Sequence, residues 1–157
     1  MRIDGFVRKI LPDRQGRTWF CLSGGEYAAL VWEGGYFRRL SGLEIGFSTV
    51  CGFLEDHEGS LWFATWGGGV TRFDPSGPFT LGAAEGLPSL HIAQVAPDQG
   101  HRLWVAFADL YLSGSTVGYL QDGHFCPVVQ HGEGGLLARA DGSVYLLVAR
   151  REQEVVI

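Results

Sequence analysis

The sequence lacks several features that mark particular protein classes. Asparagine is absent, so the chain has no N-glycosylation acceptor, and Lys9 is its only lysine. The formal net charge of −5 argues against a nucleic-acid surface. No apolar run has the length of a membrane span, and no signal peptide follows Met1. We therefore expect no nucleic-acid partner and no membrane span in these 157 residues.

Cysteine is scarce as well. Cys21, Cys51 and Cys126 are odd in number, and no two of them have the spacing of metal ligands. Free cysteine commonly behaves as a small buried hydrophobic residue. We therefore expect three buried thiols rather than a disulfide or a metal site.

Apolar residues and glycine are abundant. Hydrophobic residues make up 46% of the chain and charged residues 18%, which is typical of a chain that folds around a core. The 24 glycines indicate many tight turns. The length is that of one ordinary domain.

The most informative stretch is residues 53–74, which predicts three short strands and two turns. Residues 61–65 and 70–74 are short apolar or alternating runs bounded by Asp and Gly, as is typical of strands. In the first turn Asp56 can accept a backbone N–H, and Gly59 can adopt a positive φ without steric cost.

This stretch recurs along the chain. Residues 13–20 repeat residues 56–63, residues 98–105 repeat them with one inserted residue, and residues 141–146 form a shortened fourth copy. The aromatic anchors Trp19, Trp62, Trp104 and Tyr145 are separated by 43, 42 and 41 residues. A near-constant period of this size, with strands in each unit, predicts a propeller or another repeat array.

The predicted fold is an all-β, propeller-type array of four-stranded antiparallel blades. The blades cover residues 6–40, 48–81, 91–129 and, as a partial copy, 135–157 of a single segment. In the third and fourth repeats we expect separate strands at 124–129 and 135–140. The chain thus supplies about three and a half blades of an incomplete ring.

Two stretches carry a family likeness: Gly86-Leu87-Pro88-Ser89 followed by Asp98 and Leu103-Trp104, and residues 54–65 followed by 68–74. These repeats resemble those of two-component regulator propellers. In that family such repeats form the extracytoplasmic sensor region of histidine kinases and hybrid regulators, some of which are linked to carbohydrate uptake. The resemblance implies a periplasmic or extracytoplasmic sensor within a longer protein, with the export signal outside this chain.

A second family is also similar. Residues 62–65 and 72–77 look like blades of streptogramin lyases, which are metal-dependent propeller enzymes. On that alternative His131 and Glu133 would be candidate metal ligands. However, the sequence contains no nucleophile elbow and no phosphate loop, and nothing in it assembles a catalytic set. We therefore expect no enzymatic activity and no cofactor in this chain, and a protein-interaction scaffold remains a third alternative.

Residues that recur in every repeat are expected to build the scaffold. We assign Trp19, Trp62, Trp104 and Tyr145 to packing between blades, and Asp13, Asp56 and Asp98 to turns. Function should instead lie where the repeats differ, as in the loops that follow each second strand. There the sequence suggests a surface for a carbohydrate or other small ligand, formed by Tyr27, Trp66, Asp109 and Tyr111.

Propellers typically have about 4–8 blades, so this arc leaves a closure problem. An open arc exposes apolar blade faces and strand edges. Three outcomes are open: further blades in a longer chain, pairing with a second copy, or closure as a small four-bladed ring. The sequence favours the first.

Overall fold

Antiparallel strands make up nearly all the regular structure in the computed structural model. It describes residues 5–41, 49–74, 77–108, 115–139, 143–149 and 155–156. Within these ranges a short 3₁₀ turn, Ala83–Glu85, is the exception. The strands are β1 (Phe6–Pro12), β2 (Thr18–Ser23), β3 (Tyr27–Glu33), β4 (Tyr36–Ser41), β5 (Val50–Glu55), β6 (Leu61–Thr65), β7 (Val70–Asp74), β8 (Gly77–Leu81), β9 (Ile92–Pro97), β10 (Leu103–Phe107), β11 (Ser115–Gln121), β12 (His124–Ala138), β13 (Val144–Ala149) and β14 (Val155–Val156).

The strands form blades in chain order. Strands β1–β4 make one four-stranded sheet, which we call blade 1, and β5–β8 make blade 2. Strands β9–β14 pair in sequence as a six-stranded sheet. The predicted all-β, propeller-type array of antiparallel blades is confirmed.

The six-stranded sheet differs from the expected pair of separate blades. Strand β12 is continuous over 15 residues, whereas the sequence suggested a break between 129 and 135. The first part of β12 pairs with β11 and the second part with β13. This pairing keeps the glycine-rich segment 132–135 extended. We call β9–β11 with the first part of β12 blade 3, and the second part of β12 with β13 and β14 blade 4.

The hydrophobic core lies between blades. Trp19 of blade 1 is fully buried against three rings of blade 2, Phe53, Phe63 and Phe73, at centroid distances of 5.6, 5.5 and 6.3 Å. Trp62 packs in the same way on the cluster that contains Val105 of blade 3. Each blade thus buries one face against its neighbour, as the apolar alternation of its strands requires.

A third cluster joins blades 3 and 4. It includes Ala106, Val117 and Leu136, with Trp104 and Val144 packed against it. The first strands of successive blades also lie beside one another, β1 against β5, β5 against β9 and β9 against β12.

The two ends of each blade carry different turns. Because neighbouring strands are antiparallel, the turn after each first strand and the turn after each second strand lie at opposite ends of the blade. We call the first the Asp-turn end (residues 13–17, 56–60 and 98–102). We call the second the loop end, which in blade 2 carries residues 66–69.

The cysteines do not share one environment. Cys21 is buried in the core between blades 1 and 2, Cys126 is half-buried, and all three thiols are free. Cys51 is exposed, which contradicts the expectation that all three would be buried. Cys51 lies where the register between β5 and β6 shifts, so the strict alternation of buried and exposed positions is interrupted there.

Candidate functional site

The Asp-turn end is built from one hydrogen-bonded unit that occurs three times. In each turn the aspartate Oδ2 accepts the indole Nε1–H of the tryptophan six residues later, at 2.7 Å for Asp13–Trp19, 2.7 Å for Asp56–Trp62 and 2.9 Å for Asp98–Trp104. The same carboxylate accepts a backbone N–H four residues on through Oδ1. These carboxylates and indoles are therefore occupied in holding the turn to the second strand.

An arginine completes two of these units. The Nε–H of Arg17 and that of Arg102 donate to the aspartate Oδ2 of their own turns, at 2.6 and 2.7 Å, and each guanidinium lies over the tryptophan of its turn. Burial alone raises the pKa of Asp13 and of Asp98. The hydrogen bonds from the indole and the arginine outweigh it, so each pKa lies below its ordinary value of 3.8.

In blade 2 the guanidinium over the tryptophan comes from a different strand. Ser60 stands where the other turns have arginine, and Arg72 of β7 lies 5.9 Å over the ring of Trp62 instead. Its Nε–H donates to Ser60 Oγ. The cation over the indole is thus retained although the local sequence pattern is lost.

The third Asp turn has no inserted residue, in contrast to the sequence reading. Asp98 and Trp104 are six residues apart, as in the other turns, and His101 occupies the place of Gly16 and Gly59. His101 has a φ of 63°, close to the 79° and 83° of those glycines. Its ring stacks on that of His57 from the neighbouring turn, with centroids 3.7 Å apart.

The loop end carries Trp66, the predicted ligand contact that the structure describes most fully. Trp66 is half-buried, its ring meets that of His91 edge-on at 5.0 Å, and its backbone N–H donates to the carbonyl of Thr49. The N–H groups of Gly67 and Gly69 donate to the carbonyl of Leu90. The turn of blade 2 is thereby fixed to the segment that enters blade 3.

The other predicted ligand residues do not join Trp66 in one described cluster. Tyr27 is half-buried, and its ring lies 5.1 Å from the guanidinium carbon of Arg39. Tyr27 and Trp66 therefore have different partners. Asp109 and Tyr111 lie outside the described residues, so their part in the predicted surface stays a prediction.

His91, the partner of Trp66, was not predicted from the sequence. Nor was an open cleft of about 230 Å³ at the Asp-turn end between blades 3 and 4, lined by Asp98, Gln99, Gly100, Arg102, Trp104, Ser143 and Val144. Neither feature has a local sequence signal, since each joins residues of different turns or loops.

In the part of the chain that the structure describes, no group of three or more His, Cys, Asp or Glu side chains is placed to hold a metal ion. The side chains of His131 and Glu133, the candidate ligands of the lyase alternative, lie outside what the structure describes. Within the same ranges no helix has the length and hydropathy that a membrane span needs.

Comparisons with known proteins place the fold. Scans of the sequence against protein-family models and against curated proteins find no match. Two similar solved structures are extracellular domains from B. thetaiotaomicron. That of the hybrid two-component system BT3049 has a TM-score of 0.68 and 22% identity over 90% of this chain and 20% of its own. That of the one-component system BT4673 has a TM-score of 0.65 and 18% identity over 90% and 21%.

A third similar structure is an enzyme. Virginiamycin B lyase from Staphylococcus aureus has a TM-score of 0.67 and 14% identity, over 99% of this chain and 56% of its own. At these identities the likeness establishes the fold alone. The chain spans about a fifth of the extracellular domains it matches. The predicted resemblance is confirmed in the architecture: the chain is a partial β-propeller whose structural neighbours include extracellular domains of bacterial signalling systems.

Proposed function

We propose that this chain is a non-catalytic, ligand-sensing or interaction segment of an extracytoplasmic propeller, part of a two-component signalling protein. The observation that carries the proposal is the half-buried Trp66–His91 pair at the loop end of a fold shared with extracellular domains of a one-component and a hybrid two-component system. The recurrent Asp–Trp units at the other end are engaged in the scaffold. This leaves the loops as the variable part of each repeat.

Trp66 suits a sugar or a similar small ligand. An indole face offers a broad apolar contact, and the neighbouring imidazole of His91 adds a polar group beside it. A ligand in contact with Trp66 would also act on the contact between blades 2 and 3, because the turn is hydrogen-bonded to Leu90 in the segment that enters blade 3. Binding would therefore favour one arrangement of blades 2 and 3 over another.

The test is ligand-dependent melting of the chain with a panel of neutral and acidic oligosaccharides, together with tryptophan fluorescence. We expect at least one sugar to raise Tm and Trp66→Ala to weaken its binding at least tenfold, because the stacking surface is lost. Trp32→Ala is the matched control, since it removes an exposed indole from blade 1 and should leave the affinity unchanged. An unaltered affinity in folded Trp66→Ala argues against this site, and no melting shift with any sugar argues against carbohydrate sensing.

The lyase alternative has one observation in its favour, the likeness to virginiamycin B lyase over nearly the whole chain. It is tested by incubating the chain with virginiamycin B and a divalent cation, with and without a chelator. Chelator-sensitive turnover would favour the enzyme over the sensor. Retention of a protein partner without ligand binding or turnover would favour the scaffold.

A further inference from the structure

Two imidazoles from neighbouring blades meet at the Asp-turn end. His57 follows Asp56 in the turn of blade 2, and His101 is the third residue after Asp98 in the turn of blade 3. Their rings stack with centroids 3.7 Å apart and planes inclined by 28°. Both residues are exposed, so solutes can reach the pair. Because blades 2 and 3 are neighbours within the chain, the pair does not depend on what adjoins the first or the last blade.

Hydrogen bonds hold the main chain of both histidines. The N–H of His101 donates to the carbonyl of Asp98 at 3.1 Å. The carbonyl of His57 accepts Nη1–H of Arg14, which reaches over from blade 1, also at 3.1 Å. The two imidazoles therefore extend from ordered turns, which reduces the loss of freedom that binding a shared ligand would require.

The carboxylates of these two turns already have partners, whereas the imidazoles have only each other. The turn aspartates of blades 2 and 3 accept indole N–H groups. Oε2 of Glu58 lies 3.3 Å from Nη2 of Arg72. Among the described residues no hydrogen bond occupies a ring nitrogen of His57 or His101. The imidazole nitrogens are therefore the groups of this pair of turns that remain available to a ligand.

The separation of the two rings suits a transition-metal ion. Neutral imidazole is a common ligand of Zn²⁺, Ni²⁺ and Cu²⁺, with a zinc–nitrogen distance of about 2.0–2.1 Å. Two nitrogens on one such ion are therefore at most about 4 Å apart. Rings with centroids 3.7 Å apart meet this limit once they turn out of the stack so that one nitrogen of each points to a common centre. The exposure of both side chains leaves room for that rotation.

We propose that His57 and His101 together bind a divalent transition-metal ion of the zinc type, which bridges blades 2 and 3 at the Asp-turn end. Two side chains are fewer than the three or four that hold a catalytic or structural zinc ion, so water completes the coordination and binding is reversible. An ion held by both turns stabilises the arrangement in which they are adjacent, and so raises Tm. The Trp66–His91 pair lies at the opposite, loop end, and the metal proposal does not depend on the ligand proposal.

Calorimetric titration and thermal melting with Zn²⁺ and with Ni²⁺ test the proposal on the 157-residue chain. The chain should carry Cys51→Ser and Cys126→Ser, because free thiols also bind these ions. We expect one ion to bind per chain and Tm to rise with the concentration of the metal. Mg²⁺ is the matched control ion, and it should have neither effect because it prefers oxygen ligands.

Substitutions in the same background identify the ligands. His57→Ala and His101→Gly should each weaken binding at least about tenfold, because a second, linked ligand is lost. His101→Gly is the sharper variant. Gly16 and Gly59 take this place in the other turns with φ values of 79° and 83°, so glycine fits the backbone and the fold should be retained. His124→Ala removes an exposed histidine at the start of β12 and should leave the affinity unchanged.

Proton NMR adds a direct readout of the ligands. Paramagnetic Ni²⁺ should broaden the imidazole C–H signals of His57 and His101 first, and circular dichroism without metal identifies any variant that has unfolded. The absence of saturable binding of either ion up to millimolar concentration overturns the proposal. Unchanged affinity in folded His57→Ala or folded His101→Gly overturns it as well, and so does an equal loss of affinity in His124→Ala, which would indicate binding to scattered histidines only.

Discussion

The side chain of Asp13 accepts four hydrogen bonds. Its carboxylate accepts the N–H groups of Gln15 and Arg17, the Nε–H of Arg17 and the indole N–H of Trp19. The side chain is buried, yet every bond is to a donor that favours the charged form. This explains why a buried acid is stable here and why an aspartate precedes the tryptophan by six residues in three repeats.

Asp13→Asn should destabilise the fold by about 2–3 kcal/mol at neutral pH, because an amide cannot accept from all these donors. The lowered pKa of Asp13 makes its contribution fully present above the ordinary value of 3.8 and lost as the pH falls through the lower folded-state value. Urea unfolding at pH 7 and at pH 3 should therefore give a smaller difference between wild type and variant at the lower pH. Asp122→Asn, in an exposed turn, should be close to neutral. Equal differences at both pH values would contradict the assigned role of the charge.

At the scale of the element, the β11–β12 hairpin depends both on the chemistry of its turn and on the close packing of its two strands. Asp122 and Gly123 have φ values of 52° and 77°, as a tight two-residue hairpin turn requires. Gly118 has a different role: a Cβ there would collide with the carbonyl of Cys126 and with the ring of Phe125 on the paired strand. The turn can be predicted from the Asp-Gly sequence, whereas the need for glycine at 118 depends on how β12 approaches β11.

Gly118→Ala should therefore destabilise the chain by about 3 kcal/mol, at the upper end of the usual cost of overpacking. Gly123→Ala, where a Cβ would meet no atom within 4 Å, should cost only about 1 kcal/mol through its positive φ. Chemical denaturation of both variants gives the comparison. A smaller loss for Gly118→Ala than for Gly123→Ala would mean that the two strands are not packed as described.

At the scale of the whole molecule, stability comes from contacts between neighbouring blades. In such arrays it is approximately a sum of blade terms and nearest-neighbour interface terms. Cys21 lies within the contact between blades 1 and 2, where burial raises the pKa of its thiol to about 12. Cys51, on β5 of blade 2, is exposed. Partial desolvation raises the pKa of its thiol as well. The reactivity of Cys51 therefore reflects a surface thiol, and that of Cys21 reflects opening of the contact between blades 1 and 2.

Alkylation with iodoacetamide at pH 8 should modify Cys51 first and Cys21 only as fast as blades 1 and 2 separate. Because Cys126 is also free and half-buried, a variant that carries both Cys51→Ser and Cys126→Ser isolates the second signal. In urea, labelling of Cys21 should follow the change in tryptophan fluorescence, since Trp19 is buried in the same contact. Rapid modification of Cys21 with unchanged fluorescence would contradict a closed interface.

The sequence by itself determined the period, most strand positions and the Asp–Trp spacing. These features depend on residues within one turn and the strands beside it, so local patterns carry them. Strands 61–65 and 70–74 agree with the structure residue for residue. The third turn was aligned wrongly with the other two, because His101 has the positive φ that sequence patterns assign to glycine.

Only the tertiary structure decided which residues from different repeats meet. It joined blades 3 and 4 through β12, stacked His57 on His101, set His91 against Trp66 and put Cys51 at the surface. Each of these outcomes depends on the register and on the direction in which a sheet face points, and a shift of one residue would reverse that direction. Such non-local choices are fixed by packing between blades and have no signature within a single repeat.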